Sequence, residues 1–221
     1  MESNPARFVS LPKWGSTPVG KVICIGKNYA RHAAEMGSAV PTTPMVFLKP
    51  STALIPAGGT VRIPPGIGEV HHEVELVAVV GDFARNVSLD RALEVVASYA
   101  VGLDMTARRL QGEAKKSGGP WTVAKGFDTF APIGQPVAAA GMNPGDLGIR
   151  LLINGRMVQE GHTSDMVFGI AQLIAYCSTV FTLEPGDLLY TGTPEGVGPV
   201  NPGDELTAEI DGLPSLHASV V

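Results

Sequence analysis

The fold class follows first from ten residues, Ile149-Arg150-Leu151-Leu152-Ile153-Asn154-Gly155-Arg156-Met157-Val158. Aliphatic residues stand on both sides of an Asn-Gly pair, and this pattern predicts a β-hairpin closed by a type I′ turn. Outward from the hairpin, a Pro-Gly-Asp turn sequence recurs at 143–146, 184–187 and 201–204. Each copy predicts a type II turn, in which Gly supplies the positive φ.

Strand-like sequences follow these turns and recur elsewhere in the chain. The predicted strands cover 22–25, 45–48, 74–80, 99–103, 147–153, 188–191 and 205–210. Helical spacing occurs at 28–36, 89–97, 106–116 and 167–176, with Ser88 and Asp165 as predicted N-caps. Strands and helices do not alternate regularly, so we predict an α+β fold that is predominantly β, a mixed β-roll with a few helices packed outside.

The composition is that of a globular protein, with 44% hydrophobic and 17% charged residues among 221. The formal net charge of −5 argues against a nucleic-acid partner. Neither a secretory signal nor an apolar run long enough to span a membrane is recognised. Cys24 and Cys177 are far apart in apolar surroundings, which predicts two reduced, buried thiols. We therefore expect a cytoplasmic protein with no membrane partner.

Two carboxylates stand two residues apart in Glu73-Val74-Glu75, at the start of the predicted strand 74–80. Such residues face the same side of a strand, and their buried charges repel unless a cation lies between them. Oxygen ligands suit Mg²⁺, Mn²⁺ or Ca²⁺ better than zinc. The alternative is an edge strand with both carboxylates in solvent. Asp104, at the end of the next strand, favours the metal site, and an N-cap of the following helix is its alternative role.

A second group lies on the predicted helix 28–36, where His32 and Glu35 are three residues apart. A carboxylate beside an imidazole orients the ring and raises its basicity, which a general base requires. The alternative is a surface ion pair. His71 and His72 adjoin the acidic pair, and we expect one of them to pack or hydrogen-bond beside the metal ligands rather than to bind the metal.

Basic and amide side chains complete the candidate site. Lys125 lies in an apolar stretch, so its ammonium either extends to solvent or enters a polar pocket, where it can stabilise an enolate. Arg108 and Gln111 follow Asp104 by four and seven residues and continue its face, unless they are solvated helix positions. The Gly-rich loop 191–199, which contains Thr193, can present N–H groups to a carboxylate.

Together these segments resemble the fumarylacetoacetate hydrolase family, nearest to its short acylpyruvase and oxaloacetate decarboxylase branch. The resemblance rests on Ile25-Gly26-Lys27-Asn28-Tyr29, Phe47-Leu48-Lys49-Pro50-Ser51, His72-Glu73-Val74-Glu75-Leu76, Gly102-Leu103-Asp104-Met105-Thr106-Ala107-Arg108, the stretch around Lys125, Asn154-Gly155 and Tyr190-Thr191-Gly192-Thr193-Pro194-Glu195-Gly196-Val197-Gly198. Each motif alone is weak, and their combination in this order is specific.

The resemblance implies a homodimer with the family's mixed β-roll, built from one catalytic domain (21–221) after a short N-terminal segment (1–20). It also implies Mg²⁺ or Mn²⁺ bound by three residues, Glu73, Glu75 and Asp104.

The resemblance further implies that His32 and Glu35 lie on a flexible lid, which becomes ordered when ligand binds. In such family members the pair activates water for hydrolysis of a C–C bond.

The implied substrates are small 2-oxo acids, whose carboxylate and keto oxygens can chelate a metal that stabilises an enolate. Lys125, Arg108 and Gln111 would hold the substrate carboxylates, and Thr193 with its loop would close the pocket. The predicted reaction is hydrolysis of an acylpyruvate, decarboxylation of oxaloacetate, or both. The main alternative is an isomerase or tautomerase of 2-oxo-3-enoic (hydroxymuconate-type) or oxaloacetate-type substrates, in which His32 shuttles a proton. From another class, a non-catalytic metal-dependent carboxylate-binding protein is the alternative.

Overall fold

The computed structural model describes residues 4–35, 37 and 39–221. The helices in these ranges are α1 (Ala30–Glu35), α2 (Arg108–Ser117), α3 (Thr122–Lys125) and α4 (Ile170–Val180). Short 3₁₀ helices cover Pro5–Arg7, Ser51–Ala53, Leu89–Val95 and Thr163–Asp165. The strands are β1 (Phe8–Leu11), β2 (Gly15–Pro18), β3 (Val22–Gly26), β4 (Met45–Lys49), β5 (Leu54–Pro56), β6 (Gly59–Val61), β7 (Val70–His71), β8 (Val74–Val80), β9 (Val96–Leu103), β10 (Thr106–Ala107), β11 (Ala131–Ile133), β12 (Val137–Ala138), β13 (Gly148–Ile153), β14 (Arg156–His162), β15 (Leu188–Tyr190), β16 (Pro199–Val200), β17 (Glu205–Ile210) and β18 (Leu216–Val220).

The largest layer is an eight-stranded mixed sheet with strands in the order β4-β3-β15-β8-β9-β11-β5 and with β12 paired to β9. In it, β15 is parallel to β3 but antiparallel to β8. A five-stranded sheet of order β14-β13-β17-β18-β6 packs against it, with β13 against β8 and β17 against β9. The predicted sheet-dominated, mixed α+β fold is therefore confirmed.

The main core fills the space between these two sheets. Every residue of β8 is buried, as expected for a strand that is covered on both faces. Leu76 and Val80 belong to the main core, whereas Val77 and Val79 pack into a second core that includes Val9 of β1. The N-terminal hairpin of β1 and β2 thus helps to cover the other face of the large sheet.

The turns confirm most of the sequence predictions. In the hairpin of β13 and β14, Asn154 and Gly155 have φ of 50° and 79°, the two positive values of a type I′ turn. Gly186 and Gly203 have φ of 93° and 95°, as type II turns require. The type II prediction for 143–146 was wrong, because Gly145 is not among the residues with positive φ.

At that turn the backbone is stabilised by hydrogen bonds to Asn143, and not by a glycine with positive φ. Gly145 donates its N–H to Asn143 Oδ1 at 3.2 Å, and the Asp146 N–H reaches the Asn143 carbonyl, also at 3.2 Å. Asn side chains commonly form such turns with the backbone two residues on.

Strand pairing shortened two predicted helices. The segment Leu89–Val95 is a 3₁₀ helix, and the last two residues of the predicted helix 89–97 belong to β9, where Val96 pairs with Val80. Thr106 pairs with His71 in a short antiparallel ladder, so α2 begins only at Arg108. Hydrogen bonding to neighbouring strands outweighed the local helix preference in both places.

The other two predicted helices also differ in their bounds. Asp165 does not cap α4, because Gly169 occupies that position and Asp165 ends a 3₁₀ helix. Of the predicted helix 28–36, residues Ala30–Glu35 are helical, and Met36 lies outside the described residues. None of the helices in the described part of the chain has the length and apolar character that a membrane span requires.

Candidate active site

Three buried carboxylates meet where β8 begins and β9 ends. Glu73 directly precedes β8, Glu75 is its second residue and Asp104 directly follows β9. The strands are antiparallel, and the Asp104 N–H donates to the Glu73 carbonyl at 2.8 Å, so the two strand ends are adjacent. One ligand atom from each of the three carboxylates lies within 4.8 Å of the others, and none of the residues is more than 5% exposed. The structure therefore brings the predicted acidic cluster together.

Three cations pair with two of these carboxylates, Glu73 and Asp104, whereas Glu75 accepts the Gly192 N–H at 2.8 Å. Lys125 Nζ lies 2.8 Å from Glu73 Oε2 and 2.5 Å from Asp104 Oδ2. Arg108 Nη2 donates to Glu73 Oε1 at 2.7 Å, and Lys49 Nζ lies 2.6 Å from Asp104 Oδ1. Isolated charges at this depth would be strongly unfavourable, so the pairing explains how the protein keeps Glu73 and Asp104 ionised there.

The charges shift the pKa values of the carboxyls in opposite directions. Burial raises the pKa of Glu75 well above its usual value, and repulsion by Asp104 and Glu73 raises it further. Burial also acts to raise the pKa of Glu73, but attraction by Lys125 and Arg108 outweighs it and lowers this pKa. In the protein without metal, Glu75 therefore holds a proton more tightly than Glu73 does.

The same pairing keeps Lys125 charged. Burial alone would lower the pKa of its ammonium, but the charges and hydrogen bonds of Asp104 and Glu73 together raise it above the usual value. Lys125 consequently acts as a hydrogen-bond donor and a positive charge at neutral pH, and not as a base.

The donor set fits a divalent cation. All three candidate ligands are carboxylates, the hard oxygen donors that Mg²⁺ and Mn²⁺ prefer. Asp104 Oδ1 is buried and accepts no well-directed hydrogen bond from the described residues, although Lys49 is close enough for an ion pair. His72 is not part of the cluster, because its Nδ1 lies 2.9 Å from Gln159 Oε1, which agrees with the expected role beside the ligands.

His32 of α1 faces the carboxylates. It is 6% exposed and lines the same pocket as all three of them. His32 Nδ1 lies 3.4 Å from Glu35 Oε2, and the two oxygens of Glu35 accept the Gly196 N–H at 3.1 and 3.2 Å. Since only Glu35 of the pair is exposed, a simple surface ion pair does not describe it. The contact with Gly196 also fixes α1 to the Gly-rich loop.

The predicted substrate-binding residues line this pocket as well. Arg108 Nη1 donates to Gln111 Oε1 at 2.7 Å, which holds both side chains on the pocket side of α2. Thr193 lies in the loop after β15. Gly192 precedes it with φ of 96°, and a Cβ there would lie 2.7 Å from Asn28 Cβ, so the loop can pass this close only with glycine.

Sequence reasoning missed two buried polar residues at the site, Lys49 and Gln159. Gln159 Nε2 donates to Thr193 Oγ1 at 2.9 Å and to the Pro194 carbonyl at 3.0 Å, and its Oε1 accepts the Val74 N–H at 3.1 Å. It therefore joins the Gly-rich loop to the strand that carries Glu75. The sequence of β14 mixes polar and apolar residues, so nothing in the local pattern marked Gln159 as buried.

Comparisons with known proteins agree with this geometry. Residues 21–221 match the family model for the fumarylacetoacetate (FAA) hydrolase C-terminal region. The chain is 49% identical over 201 residues to oxaloacetate tautomerase FAHD1, mitochondrial, of Arabidopsis thaliana, covering 90% of each protein. It is 47% identical over 197 residues to oxaloacetate tautomerase YcgM of Escherichia coli K12, covering 88% of this chain and 90% of the relative.

The similarity to known proteins includes the three-dimensional fold. The crystal structure of fumarylpyruvate hydrolase from Pseudomonas aeruginosa in complex with Mn²⁺ and pyruvate superposes with a TM-score of 0.92 at 37% identity, and the match covers 100% of this chain and 98% of that one. The family model spans most of the chain, and several relatives are similar over nearly their whole length. This chain therefore belongs to the fumarylacetoacetate hydrolase family.

Proposed function

We propose that this protein is a divalent-metal-dependent enzyme that interconverts the keto and enol forms of a small 2-oxo acid of the oxaloacetate type. The observation that carries the proposal is one pocket that contains the three buried carboxylates together with His32 and Lys125. The two relatives named oxaloacetate tautomerase support the choice of reaction. Mg²⁺ or Mn²⁺ is the proposed cation, and the Mn²⁺ complex of the related hydrolase supports it.

The pocket supplies the groups that an enolate needs. A cation held by Glu73, Glu75 and Asp104 would serve as a Lewis acid toward the carboxylate and keto oxygens of the substrate. Lys125 keeps its proton and can donate a hydrogen bond to the oxygen on which negative charge develops. Arg108, aligned by Gln111, can pair with a substrate carboxylate.

Tautomerisation also needs a group that moves a proton between C3 and the oxygen on C2 of the substrate. His32 is the proposed group, because it is a buried imidazole in the same pocket. Nδ1 is directed at Glu35, and the other ring nitrogen forms no hydrogen bond with the described residues, so it can face the substrate. The Glu35 carboxylate, fixed by the Gly196 N–H, would hold the ring in place and stabilise its protonated form.

Hydrolysis of an acylpyruvate is the second candidate reaction. The same His32–Glu35 pair can take a proton from water, and the structural similarity to fumarylpyruvate hydrolase supports this chemistry. The two reactions differ in whether water attacks the distal carbonyl or the proton alone moves.

A single set of NMR time courses tests both candidates. Enol oxaloacetate is followed in protein freed of metal with EDTA, in the same protein with Mg²⁺, and in Mg²⁺ without protein. We expect the protein to accelerate conversion to the keto form above the Mg²⁺ background, and EDTA to abolish the acceleration. The absence of such acceleration would refute the proposal. Release of acetate and pyruvate from acetylpyruvate, without tautomerisation, would transfer the assignment to hydrolysis, and pyruvate formed from oxaloacetate would reveal decarboxylation.

A further inference from the structure

Two further cations line the pocket without pairing to its carboxylates. Lys27 directly follows β3, Lys115 lies on α2, and both residues line the pocket that contains the acidic cluster. The inner cations Lys49, Lys125 and Arg108 are all engaged with carboxylates. Within the described residues, neither Lys27 nor Lys115 forms an ion pair. The pocket thus has a neutralised inner end and a second region with unbalanced positive charge.

The structure holds both lysines at the pocket wall. Lys27 has φ of 59°, a left-handed conformation that a residue other than glycine adopts mainly where its surroundings impose it. The Lys115 ammonium lies 5.3 Å from the ring centroid of Trp121. Trp121 in turn packs against Gly26, where a Cβ would lie 3.1 Å from Trp121 Cζ3. The indole therefore connects the backbone beside Lys27 with the side chain of Lys115.

The two ammonium groups act on the same region of the pocket. Partial burial lowers the pKa of Lys115, although much of the residue remains exposed, and repulsion by Arg108 and Lys27 lowers this pKa further. Two like charges in one pocket repel each other, and an anion bound between or beside them offsets this repulsion.

We propose that Lys27 and Lys115 form a subsite for the distal carboxylate of a 2-oxo dicarboxylic acid. The inference rests on the proposed function, which places the 2-oxo carboxylate end of the substrate at the acidic cluster. A monocarboxylic 2-oxo acid has no group that can neutralise the two lysines. The subsite therefore selects dicarboxylic over monocarboxylic substrates.

Calorimetric titration of the Mn²⁺-loaded protein tests the subsite with inert ligand pairs of equal chain length. The pairs are 2-oxoglutarate with 2-oxopentanoate, and 2-oxoadipate with 2-oxohexanoate, so each differs only in the distal carboxylate. We expect the wild type to bind at least one diacid about 10- to 100-fold more tightly than its partner, the range expected for a charged hydrogen bond. The double variant Lys27→Met/Lys115→Met should lose this preference and keep its affinity for the monoacid.

The control is Lys116→Met, which removes an exposed lysine next to Lys115 that does not line the pocket. It should retain the diacid preference, and all variants should keep the wild-type Mn²⁺ affinity and unfolding temperature. Wild-type protein without diacid preference in either pair, including protein that binds no ligand, contradicts the subsite. So does a double variant that retains the preference. Diacid preference without tautomerisation would refute the proposed function alone, and tautomerisation without preference would refute the subsite alone.

Discussion

The Lys49 ammonium lies 2.6 Å from Asp104 Oδ1, and both side chains are essentially inaccessible to solvent. Lys49 also donates hydrogen bonds to the carbonyl oxygens of Met105 at 3.0 Å and Phe130 at 2.6 Å. It thereby fixes the backbone that follows β9 and restrains Asp104, whose other oxygen contacts Lys125. Lys49 is thus a positioning residue for a candidate metal ligand.

Replacement of Lys49 by Met should destabilise the protein without metal. The change leaves a buried carboxylate with one partner fewer, and loss of one member of a buried ion pair typically costs about 3–5 kcal/mol. The free energy of unfolding is measured by urea denaturation. Lys13→Met is the control, because Lys13 pairs with Asp82 at the surface and should be replaceable without measurable loss. Equal effects of the two substitutions would show that the buried pair does not contribute as described.

Gln159→Leu should loosen the Gly-rich loop while leaving the metal ligands in place. The substitution removes the acceptor of the Val74 N–H and the donor to Thr193, and each buried polar group left unsatisfied costs about 1–3 kcal/mol. We expect lower stability and a higher KM, with Mn²⁺ affinity close to wild type. Gln135→Leu, at an exposed position, is the matched control. An unchanged KM in folded Gln159→Leu protein would contradict the role given to this amide.

The candidate metal ligands could be predicted because their signal is local. Glu73 and Glu75 share a strand face by their spacing alone, and Asp104 stands at the end of an apolar run. Gln159 gave no such signal, since its contact with His72 spans 87 positions along the chain. Lys49 was missed for the same reason, because its contact with Met105 spans 56 positions. Only the folded sheets bring these partners together.

The secondary structure was likewise predicted correctly where the local sequence determines it, and wrongly where long-range strand pairing does. The Asn154-Gly155 turn and the bounds of Val74–Val80 and Glu205–Ile210 were predicted to the residue, because turn chemistry and β-branched runs act locally. The end of the predicted helix 89–97 was wrong, because Val96 pairs with Val80 and so belongs to β9. No pattern within that segment indicates its neighbour in the sheet.

Metal affinity should increase with pH. The pKa of Glu75 is raised by burial and by repulsion from Asp104 and Glu73, so this carboxyl keeps its proton at pH values where an exposed glutamate is ionised. A metal binds the ionised form, and binding should therefore release a proton until the pH exceeds the raised pKa. Titrations of metal-free protein with Mn²⁺ in buffers of different ionisation enthalpy count the protons released. Affinity that does not change between mildly acidic and alkaline pH would contradict the protonated state of Glu75.

His32→Ala should lower tautomerisation of oxaloacetate and cleavage of acylpyruvate by a factor on the order of 10²–10⁴, the usual contribution of general acid–base catalysis. Oxaloacetate decarboxylation depends chiefly on the cation and should decrease less, and Mn²⁺ affinity should not change. Rates are measured at saturating metal, with His162→Ala as a control at a solvent-accessible histidine. Equal loss of all three activities would show that His32 serves closure of α1 or substrate binding, and not proton transfer.

The most direct test of the metal-dependent site is a Mn²⁺ binding titration, followed by electron paramagnetic resonance, on wild type, Glu75→Gln and Glu69→Gln. Glu69 is an exposed carboxylate near the site that lies outside the acidic cluster, so its variant is a matched control. We expect one tightly bound Mn²⁺ per chain in wild type and Glu69→Gln. Glu75→Gln should lose most of this affinity together with all measurable acceleration of enol conversion. A Glu75→Gln variant that binds Mn²⁺ and converts enol oxaloacetate like wild type at limiting metal would contradict the role of Glu75 as a metal ligand.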